Sequence, residues 1–238
     1  MSGSGRRRLH GREGPERSQV DPEALAEWDR ERRKRGFDRF LLFTDAVVAI
    51  AITLLILPVV DRASEIGSDD LTVSSIIHES GSQIYAFLLS FLVIAVLWLR
   101  HQEIFQNVET VNRALVWANL AWLLTIIALA FTTALTARHN SDSIAAPIYI
   151  GNVALSSLML TLSVTSLTRR PELLYPGTPA HAVHLRSAWI ATGLLVLATL
   201  LVVLVPVVSY FAMLLLFLQR PLIRLLAPHE QLEDNWDA

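Results

Sequence analysis

Asp45 is a carboxylate inside the first long apolar stretch of the sequence, which covers residues 40–60 and holds no other charged side chain. Inserting a carboxylate into a membrane-spanning helix costs about 3 kcal/mol of free energy unless the group is paired or in contact with water. Two interpretations follow with equal weight. Asp45 either pairs with polar groups and holds helices together, or it belongs to an ion or proton pathway.

Candidate partners for Asp45 lie near the ends of the neighbouring apolar stretches. Arg39 precedes it by six residues, and Trp98, His101 and Asn119 are placed at a similar depth if the next two stretches return across a membrane. Trp98 and His101 are three residues apart and share a helix face. Each of the two side chains has an N–H group that can donate a hydrogen bond to a carboxylate. A network of these side chains would satisfy buried polar groups, which favours packing over permeation for Asp45.

A second pattern follows Asp45 along the same stretch. Ile50, Leu54 and Leu57 are spaced by four and three residues, within about 40° of one another on an α-helix, and Thr53 borders them with a hydroxyl. Asp45 lies about 140° from Ile50 and so faces elsewhere. Such a stripe ordinarily faces lipid or a neighbouring helix. The functional alternative is a hydrophobic constriction formed by symmetry-related copies, which can gate by dewetting.

The elements that must position these residues are membrane-spanning helices. The chain is 53% hydrophobic and 18% charged, with a mean hydropathy of +0.44, whereas soluble domains average about 25% charged residues. A spanning helix needs about 20 mostly apolar residues. Stretches of this kind cover residues 40–60, 80–99, 114–137, 143–168 and 187–219. Pro206 interrupts the last one, which predicts two short helices at 187–204 and 206–218. The fold class is therefore an all-α integral membrane protein with six transmembrane helices.

The distribution of charge predicts the orientation of these helices. Eleven of the 20 lysines and arginines lie in residues 1–39. Because basic segments stay in the cytoplasm, both termini are expected there, in a multi-pass protein of the plasma membrane. Residues 1–36 are expected to be a mostly disordered basic tail, in which a short helix starts near Pro22 and continues through Arg35. Residues 37–224 are expected to form a six-helix transmembrane domain, and 225–238 an acidic cytoplasmic tail. The basic cluster at 32–35 is interpreted as an orientation signal that also touches anionic lipid headgroups, with no nucleic-acid role.

Several function classes find no support in the sequence. The chain has no cysteine, so disulfides and thiolate metal sites are excluded. It lacks the His-Glu-x-x-His and Gly-x-Ser-x-Gly motifs, and no enzyme activity is expected. A cation channel, a proton-coupled secondary transporter using Asp45 and His101, and a structural membrane protein remain. Transporters often contain repeats, and none is evident between the two halves of the chain.

The first apolar stretch resembles a known family. The residues Arg39-Phe40-Leu41-Leu42-Phe43-Thr44-Asp45 are similar to the Arg-x-x-x-Phe-Ser-Asp signature of the transmembrane protein 175 family of potassium channels. The aliphatic run at 46–58 continues the likeness, and two further blocks match, Trp98-Leu99-Arg100-His101 with Phe105 and Asn119-Leu120-Ala121. The similarity covers about residues 36–122. Thr44 stands where the signature has serine, which keeps the hydroxyl and adds a methyl group.

The resemblance implies a homotetramer of single six-helix units, the prokaryotic type, with the first helices lining a central pore. Ile50, Leu54 and Leu57 would form constriction rings with Thr53 near them. The signature residues would hold the first three helices together through a network of Arg39, Phe43, Thr44, Asp45, Trp98, His101 and Asn119. The permeant ion would be K⁺, with Na⁺, Cs⁺ and H⁺ as further candidates, and no cofactor or resident metal is expected. The chain lacks the Thr-Val-Gly-Tyr-Gly loop of ordinary potassium channels, so modest selectivity over Na⁺ is predicted.

Overall fold

A computed structural model of the chain describes residues 22–66, 73–138, 144–178 and 185–204. Within these ranges the structure is helical, with a single isolated β-bridge between two loops. The helices are α1 (Pro22–Leu54), α2 (Leu57–Ile66), α3 (Val73–Glu79), α4 (Gly81–Phe105), α5 (Arg113–Arg138), α6 (Ala145–Arg169) and α7 (Leu185–Leu204), with a 3₁₀ turn at Pro171–Leu173.

Five helical segments of the described residues are long and apolar enough to cross a membrane. The first is formed by α1 together with α2, and the others are α4, α5, α6 and α7. They correspond to the five apolar stretches of the sequence. The sixth helix predicted at 206–218 lies outside the described residues, as do residues 1–21 and the acidic tail.

Helix α1 begins well before the membrane span. It starts at Pro22 and continues without interruption for 33 residues. Proline is well tolerated in a first helical turn, and between it and Leu54 the segment contains no other proline and one glycine, Gly36. The short helix predicted through Arg35 is therefore continuous with the first span.

The far end of α1 is set by a proline. Pro58 has no N–H to donate to the carbonyl of Leu54, and its ring would clash with that carbonyl in a continuous helix. The chain tightens instead into a turn in which the Leu55 and Ile56 N–H groups donate to Ile52 and Thr53 at 3.3 and 3.4 Å. Leu57 consequently begins α2, although the sequence pattern placed it on the same helix as Ile50 and Leu54.

The interior of the bundle is held by small polar side chains as well as by apolar packing. Thr192 of α7 hydrogen bonds with Ser157 and Thr161 of α6 at 2.9 and 2.8 Å. Ser90 of α4 donates to the Tyr149 hydroxyl of α6 at 3.1 Å. Such residues are typical of transmembrane interfaces because they let backbones approach closely and satisfy one another in an apolar medium.

The end of the bundle where α1 enters is closed by a separate apolar cluster. Phe37 of α1 packs there with residues from α4, the loop after it, α5, α6 and the following turn, namely Phe105, Val108, Leu115, Leu167 and Leu173. Two loops also pair at this end, since the Glu109 N–H donates to the Leu173 carbonyl at 2.9 Å and the Tyr175 N–H donates to the Asn107 carbonyl at 3.1 Å. The entry point of α1 is thus fixed against three other helices.

Candidate functional site

One face of α1 is buried against the rest of the subunit. Its members are spaced by three, four or seven residues, as one side of an α-helix requires, and all are nearly inaccessible: Phe37, Thr44, Val48, Ala51 and Leu55. The opposite face therefore points away from the subunit along the whole membrane-spanning part of the helix.

Three of the four residues predicted to line a pore lie on that outward face, and Leu57 follows just beyond the end of α1. Ile50 is 59% exposed, Leu54 41% and Leu57 49%, and Thr53 is exposed as well. The Thr53 hydroxyl donates to the Ile50 carbonyl at 2.7 Å, so its proton stays within the helix while its oxygen lone pairs remain on the outward face. Each of these four side chains is exposed, and Ile50, Thr53 and Leu54 share the outward part of α1.

A chain of buried hydrogen bonds fixes α1 to α5 and α4. The Thr44 hydroxyl donates to the Phe40 carbonyl at 3.1 Å and accepts from Asn119 Nδ2 at 2.9 Å. The other atom of the Asn119 amide, Oδ1, lies 2.7 Å from His101 Nε2. Because Oδ1 can only accept, Nε2 carries the proton. His101 of α4 thus donates to Asn119 of α5, which donates to Thr44 of α1.

His101 is held in place by stacking on both of its ring faces. Its ring centroid lies 4.2 Å from that of Phe105 and 4.4 Å from that of Trp122, with interplanar angles of 18° and 14°. The side chain is fully buried, and its Nδ1 has no hydrogen-bond partner among the described residues. This sandwich fixes the ring plane and thereby the direction of the bond to Asn119.

Asp45 is bound on one flank of α1, beside the buried face. Its Oδ1 accepts from Trp98 Nε1 at 2.9 Å and from Gln102 Nε2 at 2.7 Å, both on α4. The sequence analysis missed Gln102. The signal was present, because Trp98 and Gln102 are four residues apart and therefore occupy one face of α4.

Arg39 and Phe43 are placed away from these networks. Phe43 is 52% exposed, and Arg39 is exposed and makes no hydrogen bond or ion pair with another described residue. Both occupy the same helix face as Ile50, from which they are separated by eleven and seven residues, or about three and two turns. The structure brings five of the seven predicted network residues into hydrogen bonds and leaves these two on the outward face.

The two sets of bonds together determine which way α1 faces. Thr44 fastens the buried face of the helix to α5, and Asp45 fastens one flank to α4. A rotation of α1 about its axis would break one set or the other. The polar residues thus orient the stripe that contains Ile50. Among the described residues, no group of three or more histidine, aspartate or glutamate side chains could hold a metal ion.

Sequence comparisons relate the chain to a group of channels. Residues 39–129 match the family model described as endosomal/lysosomal potassium channel TMEM175. A potassium channel of Streptomyces collinus is 33% identical over 159 residues, which cover 63% of this chain and 74% of the relative. A potassium channel of Chamaesiphon minutus is 36% identical over 116 residues, 48% of this chain and 57% of the relative. The human endosomal/lysosomal proton channel TMEM175 is 34% identical over 97 residues, 41% of this chain but 19% of that longer protein.

A solved structure has the same fold. The crystal structure of a lysosomal potassium-selective channel TMEM175 homolog from Chamaesiphon minutus superposes with a TM-score of 0.63 at 24% sequence identity. The match covers 79% of this chain and 97% of that one. It confirms the all-α membrane fold class predicted from the sequence.

Proposed function

This chain belongs to the TMEM175 family of potassium channels, as its signature residues predict, and from that premise we propose that it is a passive, potassium-permeable cation channel whose pore is lined by α1 of each subunit. The family and the relatives are ion channels and not enzymes. The bacterial relatives are named as potassium channels and the animal ones as proton channels. K⁺ is therefore the principal permeant ion of the proposal, with H⁺, Na⁺ and Cs⁺ as further candidates.

The observation that carries the pore assignment is the outward apolar face of α1. Ile50, Leu54 and Leu57 are exposed in the single subunit, while the buried face of α1 and the flank that carries Asp45 are occupied by contacts with α5 and α4. In a homotetramer these faces meet around a central axis. Rings of Ile50, Leu54 and Leu57 then form a hydrophobic constriction, and the Thr53 hydroxyls border it. A constriction of this kind opposes ions because water leaves it.

The character of the surface also suits a position between copies of α1. The exposed face includes Ala46 and Thr53, small residues that allow helices to approach one another closely. The exposed face of α5, in contrast, carries bulky side chains such as Trp117, Leu124 and Phe131, each at least 66% exposed, which are suited to lipid. We therefore assign α1 to the axis and α5 to the periphery of the tetramer.

The proposed orientation follows from charge. The basic residues that precede the span place the start of α1 in the cytoplasm. With six spans across the plasma membrane, both termini lie in the cytoplasm. The hydrogen-bonded residues Thr44, Asp45, Trp98, His101 and Asn119 act as packing residues that hold the pore helix. Selectivity rests on side chains and pore width because the sequence has no carbonyl-lined filter motif, so discrimination against Na⁺ is modest.

The geometry gives less support to a proton-coupled transporter. Asp45 is bound by Trp98 and Gln102, whereas His101 is bound by Asn119 and stacked between two rings. The two candidate coupling residues thus take part in separate packing interactions. Neither lies on the outward face that contains Ile50.

Planar-bilayer recording of the purified protein tests the channel proposal. Ile50→Ala and Ile50→Asn should raise the single-channel conductance or reduce the preference for K⁺ over Na⁺, because the narrowest ring becomes wider or wettable. Leu124→Ala is the matched control, since Leu124 is a similarly exposed apolar residue in the span of α5, at 66% against 59% for Ile50. The control should leave both quantities unchanged. Unaltered current in both Ile50 variants would show that the constriction lies elsewhere.

The same recording separates a channel from a transporter. Discrete single-channel openings are expected for the wild-type tetramer. Slow flux that saturates with ion concentration, without such openings, would favour the transporter instead.

A further inference from the structure

The outward face of α1 does not end at the membrane. Because α1 is one uninterrupted helix, the face that contains Ile50 continues toward the start of the helix through residues spaced by three and four positions, all of them exposed. These lie within about 40° of the direction of Arg39: Arg32, Arg35, Arg39, Phe43, Ala46 and Ile50. The face is therefore apolar in the span and basic outside it.

The rise of the helix sets where the charges lie. At 1.5 Å per residue, Arg39 is about 16 Å from Ile50 along the helix axis, and Arg35 and Arg32 are about 6 and 10 Å farther out. If Ile50 faces the pore axis, the three guanidinium groups surround the entrance on the side of the amino terminus. Each lies outside the constriction, within reach of ions approaching from the cytoplasm.

These guanidinium groups retain donors for a ligand. Arg39 makes no hydrogen bond or ion pair with another described residue. Arg35 pairs with Glu31 at 3.7 Å, but both side chains are more than 60% exposed, and such surface pairs are weak. Arg32 lies over the Trp28 ring at 5.4 Å, a contact that uses the flat face of the guanidinium and leaves the N–H groups at its edge available.

Resting on the pore assignment made above, we propose that Arg32, Arg35 and Arg39 of the four subunits form a basic collar at the cytoplasmic mouth, and that this collar binds soluble polyvalent phosphate anions. The guanidinium fork matches the oxygen geometry of phosphate, and charge-assisted bonds of this kind are strong. A multivalent anion relieves the repulsion among the arginines more effectively than a monovalent one, because it can bind several of them at once. A phosphate chain held on the axis obstructs K⁺ passage, so the collar acts as an anion-controlled block.

Excised patches test the collar because the cytoplasmic face of each patch is known. Sodium tripolyphosphate added to the cytoplasmic side should block K⁺ current reversibly, and the block should weaken at higher salt because the charges are screened. The same addition to the outer side should have no effect. Arg32→Gln and Arg39→Gln should each raise the half-blocking concentration at least tenfold, which corresponds to the loss of one charge-assisted hydrogen bond among the four copies of the arginine.

Arg33→Gln is the matched control, since Arg33 is exposed on the same helix but lies about 120° from Arg39. It should change the half-blocking concentration less than about threefold. Arg32 lies in the exposed part of α1, outside the packed bundle, so its variant keeps the test valid if Arg39→Gln fails to assemble.

Two results would overturn the collar while leaving the pore intact. In one, Ile50→Ala alters the conductance as expected but Arg32→Gln and Arg39→Gln leave the block unchanged. In the other, Arg33→Gln weakens the block as much as the collar variants do. An unaltered conductance in the Ile50 variants would instead remove the pore assignment, and the collar with it.

Discussion

Replacement of Asn119 by leucine should destabilise the protein through two identifiable hydrogen bonds. Asn119 is 1% exposed and joins Thr44 Oγ1 at 2.9 Å to His101 Nε2 at 2.7 Å. Leucine leaves the His101 N–H buried without an acceptor, at a cost of about 1–3 kcal/mol. It also removes the interhelical bond to Thr44, worth about 0.6 kcal/mol on average between membrane helices. The total is about 1.6–3.6 kcal/mol, or a fall of about 3–14 °C in the apparent Tm of a chain of this size.

A double-mutant cycle isolates the bond between Thr44 and Asn119. Thr44→Val removes the hydroxyl at nearly constant shape, and its combination with Asn119→Leu should be less damaging than the sum of the two by about 0.6–1.7 kcal/mol. Thr44→Ser is the matched control. It loses a methyl group but keeps the hydroxyl, so its effect should simply add to that of Asn119→Leu.

Thermal denaturation of the detergent-purified oligomer, followed by fluorescence-detected size-exclusion chromatography, measures these values. A coupling of about 1 kcal/mol appears as about 2–4 °C of non-additivity in the apparent Tm. The reasoning is refuted if Thr44→Val and Asn119→Leu add within experimental error. It is equally refuted if Thr44→Ser couples to Asn119→Leu as strongly as Thr44→Val does.

Two further variants test the separation between packing and permeation. Asp45→Asn keeps an oxygen that accepts from Trp98 and Gln102 but loses the charge that strengthens these bonds, so oligomer stability should fall by about 1 kcal/mol in the same thermal assay, with K⁺/Na⁺ selectivity unchanged in bilayer recordings. Normal assembly with altered selectivity would place Asp45 in the ion path. Tyr149→Phe removes the acceptor of the Ser90 hydroxyl in the subunit interior and should lower the apparent Tm by about 2–4 °C without changing conductance. A changed conductance would contradict the assignment of this cluster to packing.

The sequence predicted the polar contacts in part. Trp98, His101 and Asn119 were recognised because donors at the ends of adjacent spans lie at the depth of Asp45. Their pairing was not predictable. Asn119 binds Thr44, and Asp45 binds Gln102 in addition to Trp98. Depth along the membrane follows from counting residues, whereas the pairing of atoms depends on which faces of α4 and α5 turn toward α1.

The break before Pro58 shows a second limit of periodicity. Ile50, Leu54 and Leu57 were placed on one stripe by assuming a continuous helix, but the missing donor of Pro58 ends α1 at Leu54. Leu57 is still exposed, as the first residue of α2. The chemistry of proline was visible in the sequence, but the turn it produces at Leu55 and Ile56 follows from the backbone bonds to Ile52 and Thr53, which helical periodicity does not contain.

The first helix shows which features the sequence determines and which only the tertiary structure determines. The sequence alone determined the existence of the apolar spans, because their length must match the membrane, and the relative angles of side chains along α1, because helical geometry is constant. Only the tertiary structure decided the absolute rotation of α1, through bonds from Thr44 to α5 and from Asp45 to α4. That rotation exposes the face that contains Ile50 and carries Arg39 and Phe43 with it, since residues on one rigid helix cannot turn independently.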